Sequence, residues 1–447
     1  MIGKDFRKDI LFPILCFISG WDVNKYYNSL NKSQWFSKDE VLANQFKEIK
    51  TMIKYASEEI PYYIDYFNEN QLSINDFNVI EDISIFPTIT KDIIRQNKKL
   101  FLPKTNNIKY TSQSTSGSTG KPFEYFMDKD RLALNSAAYF RFLEVSGYQF
   151  GQKIVTLGGV ANLKTGLKQA VKNNIIKFVY NTNPLPSIRL NDTIYKSHIK
   201  TINKLKPTLI RGYPSVLECF AKFMLANDIF CHTPLAIYTV AEKVYDHQKE
   251  LIEKAFKCKI FEGYGGGDGG IFTLICEYRK RHICLDTGLM EILNENQKPC
   301  VSGEMGEIVT TYKNYSLAMI RYRTSDYAII DNKTCDCGRN WPIIKEIIGR
   351  QCDILHFDNG NTVTTPGVTV LFKDFSFDSY QIVQEAKDSL KISIVKGEVF
   401  VPSDVNTAVA DLKKQCGEGV KVHYEFVNEI PRTKAGKRHF IRVDISN

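Results

Sequence analysis

Ser114-Thr115-Ser116-Gly117-Ser118-Thr119-Gly120-Lys121-Pro122 combines five hydroxyl side chains, two glycines, a lysine and a proline within nine residues. The glycines let a backbone approach a ligand closely. The hydroxyls and N–H groups supply hydrogen-bond donors, and Lys121 supplies a positive charge. Such a loop suits phosphate oxygens, which points to a nucleotide-using enzyme. A Walker A loop requires Gly-Lys followed by Ser or Thr at the start of a helix. Here Pro122 follows the lysine, and the spacing from Gly117 to Gly120 is too short. The flanking runs Ile108-Lys109-Tyr110 and Phe123-Glu124-Tyr125-Phe126 have strand character, which distinguishes the stretch from a flexible Ser/Gly linker.

The whole chain has a globular composition. Its 447 residues are 43% hydrophobic and 24% charged, enough for two or three domains. The net charge of +9 is spread along the chain instead of forming a basic patch with stacking aromatics, so no nucleic-acid partner is expected. It can help attract an anionic substrate. Eleven scattered cysteines in a chain of this length favour a reducing cytoplasm. No stretch reaches the roughly 20 apolar residues of a membrane span. Ile10-Leu11-Phe12-Pro13-Ile14-Leu15-Cys16-Phe17-Ile18 follows Lys4, Arg7 and Lys8 but leads into Gly20-Trp21-Asp22, without a small-x-small cleavage site. It reads as a packed or surface-dipping segment and leaves peripheral membrane contact open.

Leu42, Phe46, Ile49, Ile53 and Ala56 recur at helical spacing within a helical lead-in that ends near residue 105. Pro61-Tyr62-Tyr63 and Pro87-Thr88-Ile89-Thr90-Lys91 interrupt it. From about residue 108, short apolar strands (153–157, 208–210, 235–240, 259–261) alternate with helical segments such as 215–227 and 245–256. That alternation predicts an α/β fold with mostly parallel sheets, whose ligand loops follow the strand C-termini. Candidate loops are Gly158-Gly159, Ala241-Glu242 and residues 263–270. The chain becomes β-rich after about residue 285, and its composition shifts near Gly349-Arg350. The expected division is a large domain over 1–349 and a small α+β domain over 350–447.

Gly263-Tyr264-Gly265-Gly266-Gly267-Asp268-Gly269-Gly270 is a second glycine-rich loop. Its tyrosine can stack on a purine, and the Asp268 carboxylate can hold Mg²⁺. Arg321-Tyr322-Arg323-Thr324-Ser325-Asp326, Gly349-Arg350-Gln351-Cys352-Asp353 and Pro431-Arg432-Thr433-Lys434-Ala435-Gly436-Lys437 follow in order. Cys276 and His282, with the knuckle Cys335-Asp336-Cys337-Gly338, supply the three thiolates and one imidazole of a tetrahedral zinc site, with Cys284 as the rival ligand. Four unrelated buried residues are the plain alternative.

This ordered set, over roughly residues 40–445, resembles the adenylate-forming (acyl-CoA synthetase) superfamily and, within it, the phenylacetate–CoA ligase-like and capsule-biosynthesis branch. Relatives carry a comparable Glu-Cys…His and Cys-x-Cys-Gly arrangement. The resemblance implies a large α/β adenylation domain and a mobile C-terminal domain. Residues 114–121 would grip the ATP phosphates, Ala241, Glu242, Gly263 and Tyr264 would surround the acid and adenine, and Asp326 would hold the ribose. Arg350 would reach the nucleotide, Asp353 would act as hinge, and Lys437 would neutralise charge as a small carboxylic acid attacks the α-phosphate. Lys434, before the glycine, is the decoy. The implied products are acyl-AMP and pyrophosphate, with coenzyme A as the usual acceptor. An amine acceptor in surface-polysaccharide synthesis is the alternative. Departures from the family pattern are Ala241 for Gly, Gly267 for Thr, Asp268 for Glu and Ser325 for Gly. They leave open a nucleotide binder without turnover, or a nucleotidyl transferase. The acid and the choice between monomer and homodimer are not readable from these residues.

Overall fold

The computed structural model describes residues 4–105, 107–115, 123–157, 167–185, 192–240, 242–350, 354–359, 361–364, 368, 371–372, 375–397, 399–431 and 439–445. The lead-in is helical. Ser37 caps the helix Lys38–Glu59 reciprocally: the Glu40 amide donates to Ser37 Oγ at 3.3 Å, and the Ser37 amide donates to Glu40 Oε2 at 2.9 Å. Two otherwise unpaired amides are thereby satisfied. Pro61 opens the next helix, Pro61–Glu69, at a position where its missing N–H is not needed. The helical spacing holds with one change of register. Val41, instead of Leu42, turns inward with Ile49, Ile53 and Ala56, and Leu42 is exposed.

Five strands pair in parallel in the order Thr182–Leu185, Ile154–Leu157, Leu209–Gly212, Ala236–Thr239, Lys259–Glu262. Alternate residues serve two cores. Val155, Ile210, Ile237 and Ile260 pack with side chains of the helices Asp192–Leu205, Pro214–Ala226 and Asp246–Phe256. Ile154, Leu209, Ala236 and Tyr238 join the large core built with the lead-in. Burial on both faces explains why these strands read as continuous apolar runs. The register aligns Leu157, Gly212, Thr239 and Glu262 in one row at the C-terminal edge. The loops expected to bind ligand leave from that row.

The β-rich region joins shorter strands in a second, antiparallel sheet that the β–α alternation did not announce. Its order is Leu289–Leu293, Met305–Thr311, Tyr322–Asp331, Ile343–Arg350, Arg281–Ile283, Phe272–Ile275, Tyr264–Gly265. The hairpin Tyr110–Thr115 and Phe123–Asp128 pairs Thr115 with Phe123. Ser114 and Thr115 are therefore strand residues, and the strand starts two residues later than its apolar run suggests. Residues 355–441 build a separate core around Ile382, Leu390, Ile392 and Leu412, from a four-stranded sheet and the helix Pro402–Cys416. Phe440 of this unit meets Tyr245 of the α/β part, with ring centroids 6.1 Å apart. No described helix is long and apolar enough to cross a membrane.

Candidate active site

A cleft of about 1390 Å³ opens at the C-terminal edge of the parallel sheet. Ser114, Glu242, Gly263, Tyr264, Asp268 and Asp326 all line it, as do His439 and Phe440 from the C-terminal unit. Residues from separate stretches of sequence thus share one space. Ser116, Gly117, Ser118, Thr119, Gly120, Lys121, Ala241, Asp353 and Lys437 lie outside the described residues, as does the side chain of Arg350. The backbone of Arg350 ends its strand opposite Asp326.

Asp268 is held from several sides. Its Oδ2 lies 3.0 Å from Lys91 Nζ and accepts a 2.5 Å hydrogen bond from the Tyr322 hydroxyl. Its main-chain oxygen accepts from Tyr312 OH at 2.8 Å. Burial, and then the carboxylate, push the Tyr322 phenol well above its ordinary range, so it stays a donor. Lys91 arrives through backbone pairing. Ile89 donates to the Arg321 carbonyl at 3.0 Å and accepts from the Arg323 amide at 2.8 Å, which docks residues 88–91 onto the strand Tyr322–Asp331. Thr90 then caps the helix Lys91–Gln96 by accepting from the Ile93 amide at 3.3 Å. The sequence showed Lys91 only as the end of a Pro-x-x-x-Lys run; the Thr cap before it was the signal that a helix starts there. Arg321 serves the scaffold: it is buried against Glu291 at 3.1 Å and donates to the Phe86 carbonyl at 2.8 Å.

The other two carboxylates are placed as firmly. Asp326 Oδ2 accepts from Tyr264 OH at 2.9 Å, tying the second glycine loop to the Arg-Tyr-Arg-Thr-Ser-Asp run. Burial, and then Asp326, raise the Tyr264 phenol well above its usual range. Glu242 accepts from the Ser215 amide at 3.0 Å and the Ser215 hydroxyl at 3.2 Å. This joins two segments 27 residues apart in the sequence, and it sets a carboxylate on the N-terminus of the helix Pro214–Ala226. Arg211 also lines the cleft, its guanidinium 5.2 Å from the Tyr139 ring centre.

Residues 355–444 match the CapK C-terminal domain family. The chain is 29% identical over 425 residues to protein CapK of Staphylococcus aureus, across 93% of this chain and 91% of that protein. It is 23% identical over 381 residues to a phenylacetate-coenzyme A ligase of Thermus thermophilus, across 82% and 83% of the two chains. The fold matches a 2-hydroxyisobutyryl-CoA ligase, solved in the postadenylation state in complex with R3-HIB-AMP, at a TM-score of 0.73 and 17% identity, covering 93% of this chain and 92% of that one. Over nearly its whole length the chain is thus similar to CapK and, at lower identity, to a phenylacetate–CoA ligase, and it shares the fold of that acyl-CoA ligase structure.

Two departures from the adenylate-forming pattern have a structural reading. A Cβ on Gly267, where the family carries Thr, would meet nothing within 4 Å, so the lost side chain leaves open space beside Asp268. By contrast Gly265, at φ +115°, would place a Cβ 1.8 Å from the Ile271 carbonyl oxygen. Ser325 replaces the family's glycine at φ +64°, a left-handed conformation that favours glycine. Its amide is held by Glu307 Oε1 at 3.1 Å. Ser325→Gly is therefore expected to change stability by no more than about 0.5 kcal/mol, strain relief being offset by unfolded-state entropy. Ser325→Val should cost roughly 2 kcal/mol, because a branched side chain fits that region poorly. Urea unfolding of the two variants, read by tryptophan fluorescence, checks this.

The cysteine–histidine set also converges. The ligand atoms of Cys276, His282, Cys335 and Cys337 all lie within 4.8 Å of one another. Cys276 Sγ and Cys335 Sγ are 3.6 Å apart, and Cys337 Sγ is 3.4 Å from His282 Nε2. Tetrahedral zinc with Zn–S near 2.3 Å and Zn–N near 2.1 Å separates its ligands by about 3.8 and 3.6 Å. The donor set therefore fits that ion, and the sulfurs are too far apart for a disulfide. His282 Nδ1 lies 3.2 Å from the Trp341 carbonyl, so it serves as the donor and leaves the Nε2 lone pair facing the sulfurs. Burial lowers the His282 pKa, which favours the neutral, ligating form. Cys284 does not join the group. It is buried near Arg141, which pairs with Asp286 at 2.6 Å, and burial raises its pKa to about 12.

Proposed function

We propose that this protein is an AMP-forming acid ligase. A carboxylate oxygen attacks the α-phosphorus of ATP, forming the acyl-phosphate bond as pyrophosphate leaves. In the second half-reaction the thiolate of coenzyme A attacks the acyl carbon, a thioester forms and AMP departs. The observation that carries this reading is the convergence of Glu242, Tyr264, Asp268 and Asp326 on one cleft at the C-terminal edge of the parallel sheet. Asp326 is suited to the ribose hydroxyls and the Tyr264 ring, oriented by its hydrogen bond to Asp326, to the adenine. Residues 114–121 continue from a strand whose Ser114 lines the same cleft, and they are assigned to the phosphates.

Asp268 fits a magnesium site of the usual kind, in which one carboxylate and substrate phosphates share the ion. Bound there, the ion would screen phosphate charge. Lys91 Nζ, beside Asp268, adds a second positive charge at that end of the cleft. The Cys276, His282, Cys335 and Cys337 group is assigned to structural zinc. We place the domain boundary at residue 350, with Asp353 as hinge and residues 350–447 as the part that moves between the two half-reactions. Lys437 is assigned to stabilise the charge of the first step. Its neighbours His439 and Phe440 line the cleft, which supports that role.

The test is ATP–pyrophosphate exchange over a panel of aryl, fatty, hydroxy and amino acids. Acid-dependent exchange is expected, with Lys437→Ala lowering it roughly 10²- to 10³-fold while ATP binding persists. Absence of exchange with every acid, despite ATP binding, would favour a nucleotide binder without turnover. The likeness to CapK over nearly the whole chain favours one second reading, transfer of the acyl group to an amine. The mass of the final product, thioester or amide, decides between the two.

A further inference from the structure

The N-terminal helical segment, residues 4–19, begins with charged residues and becomes apolar on both sides from Ile10 to Ile18. Its inward side is anchored by buried Phe12, which lies 4.5 Å from Phe150 and 5.7 Å from Phe140 between ring centroids, and by buried Cys16. Its outward side leaves Phe6, Ile10, Ile14, Phe17 and Ile18 in solvent, Phe17 at 88% and Ile18 at 76% exposure. A helix apolar all round is normally enclosed by protein or lipid. The helix Leu167–Val179 repeats the pattern, with Val171, Ile175 and Phe178 exposed at i, i+4 and i+7. The two helices meet where the Arg7 guanidinium stands 4.6 Å from the Phe178 ring centre. Eight large apolar side chains on two adjoining helices are exposed, a clustering that marks an interaction surface more than singly scattered surface residues do.

Charge identifies the occupant. The helix Leu167–Val179 contains no aspartate or glutamate but carries Lys168, Lys172 and Lys177 in its sequence. Lys8 is exposed beside the N-terminal stripe, against Asp5 and Asp9 on the same segment. Arg7 itself is only 8% exposed, and its Nε and Nη1 find no hydrogen-bond partner among the described residues. A buried guanidinium with unused donors, set under an apolar patch and flanked by an acid-free lysine helix, matches a phosphate at the level of the headgroups with acyl chains above it.

We propose that residues 4–19 and 167–179 form one docking surface for the face of an anionic phospholipid bilayer, with Arg7 receiving a lipid phosphate. The segment lies in the interface plane and does not span, consistent with the absence of any described helix long enough to cross. Docking would hold the cleft near substrates or acceptors that reside at a membrane.

The test is flotation of the full-length protein with vesicles of phosphatidylcholine alone, and of phosphatidylcholine with about 30 mol% phosphatidylglycerol, together with light scattering of the free protein. Binding is expected to strengthen at least about tenfold with the anionic lipid and to weaken as salt is raised. The surface variant Phe17→Ser/Ile18→Ser should reduce it by more than about tenfold, with ATP binding unchanged. Arg7→Gln should reduce the preference for phosphatidylglycerol more than the binding to phosphatidylcholine. Failure to float with the anionic vesicles overturns the proposal. So does a stable dimer dispersed by Phe17→Ser/Ile18→Ser, which would make the patch an interface between copies.

Discussion

Asp268→Asn is expected to lower ATP–pyrophosphate exchange roughly 10²- to 10³-fold at saturating Mg²⁺, with the fold intact. The substitution keeps the shape of the side chain and its hydrogen bond to Tyr322, but it removes the charge paired with Lys91. The carboxylate is 14% exposed and the lysine 19%, so the lost charge is felt in a partly desolvated setting, where it is only weakly screened. Tyr322→Phe removes one donor and leaves the charge; its expected cost is smaller, about tenfold. The comparison separates electrostatics from positioning. Asparagine and aspartate variants with equal exchange would remove Asp268 from the reaction, and a fall in thermal stability matching the fall in rate would make the residue structural.

The second large effect concerns the cysteine–histidine cluster. The purified protein is expected to carry one equivalent of zinc, measured by plasma mass spectrometry, and Cys335→Ser/Cys337→Ser is expected to lose it. Melting temperature should fall by on the order of 10 °C, because ion binding and folding of this region are coupled. The cluster ties three parts of the chain together: Cys276 follows the strand Phe272–Ile275, His282 sits in Arg281–Ile283, and the knuckle precedes the strand Ile343–Arg350. Arg339 of the knuckle extends the tie to the lead-in, donating to Gln34 Oε1 at 3.2 Å and standing 4.5 Å from the Trp35 ring centre. Releasing the ion would loosen both the antiparallel sheet and its contact with the helices. Metal-free protein that melts at the same temperature before and after chelation would show that four buried side chains merely pack there.

What could be read ahead of the structure divides by distance along the chain. The phosphate-type loop, the glycine run 263–270, the Arg-Tyr-Arg-Thr-Ser-Asp run and the Cys-x-Cys knuckle are contiguous patterns, and local chemistry names them. The parallel strands were equally plain, because burial on both faces makes each one a short apolar run. Ser114 and Thr115 were harder: hydroxyl residues in an edge hairpin look like loop until their partner strand is known. The antiparallel sheet was hidden for a similar reason, since short strands such as Tyr264–Gly265 and Arg281–Ile283 are recognisable only through their neighbours.

The sequence by itself determined the inventory of this protein: alternating parallel strands and helices, a β-rich continuation, a terminal α+β unit, and an ordered set of carboxylates, glycines and thiols suited to nucleotide and zinc. The tertiary structure decided who meets whom. Lys91 reaches Asp268 because Ile89 pairs with the strand carrying Tyr322. Glu242 caps Ser215 because two parallel strands end in the same row. Cys284 is drawn to Arg141 and away from the other thiols. Backbone periodicity and side-chain chemistry are properties of neighbours in sequence. Charge pairing, desolvation and metal-ligand geometry depend on separations of a few ångströms between segments far apart in the chain, and those separations exist only once the sheets have formed.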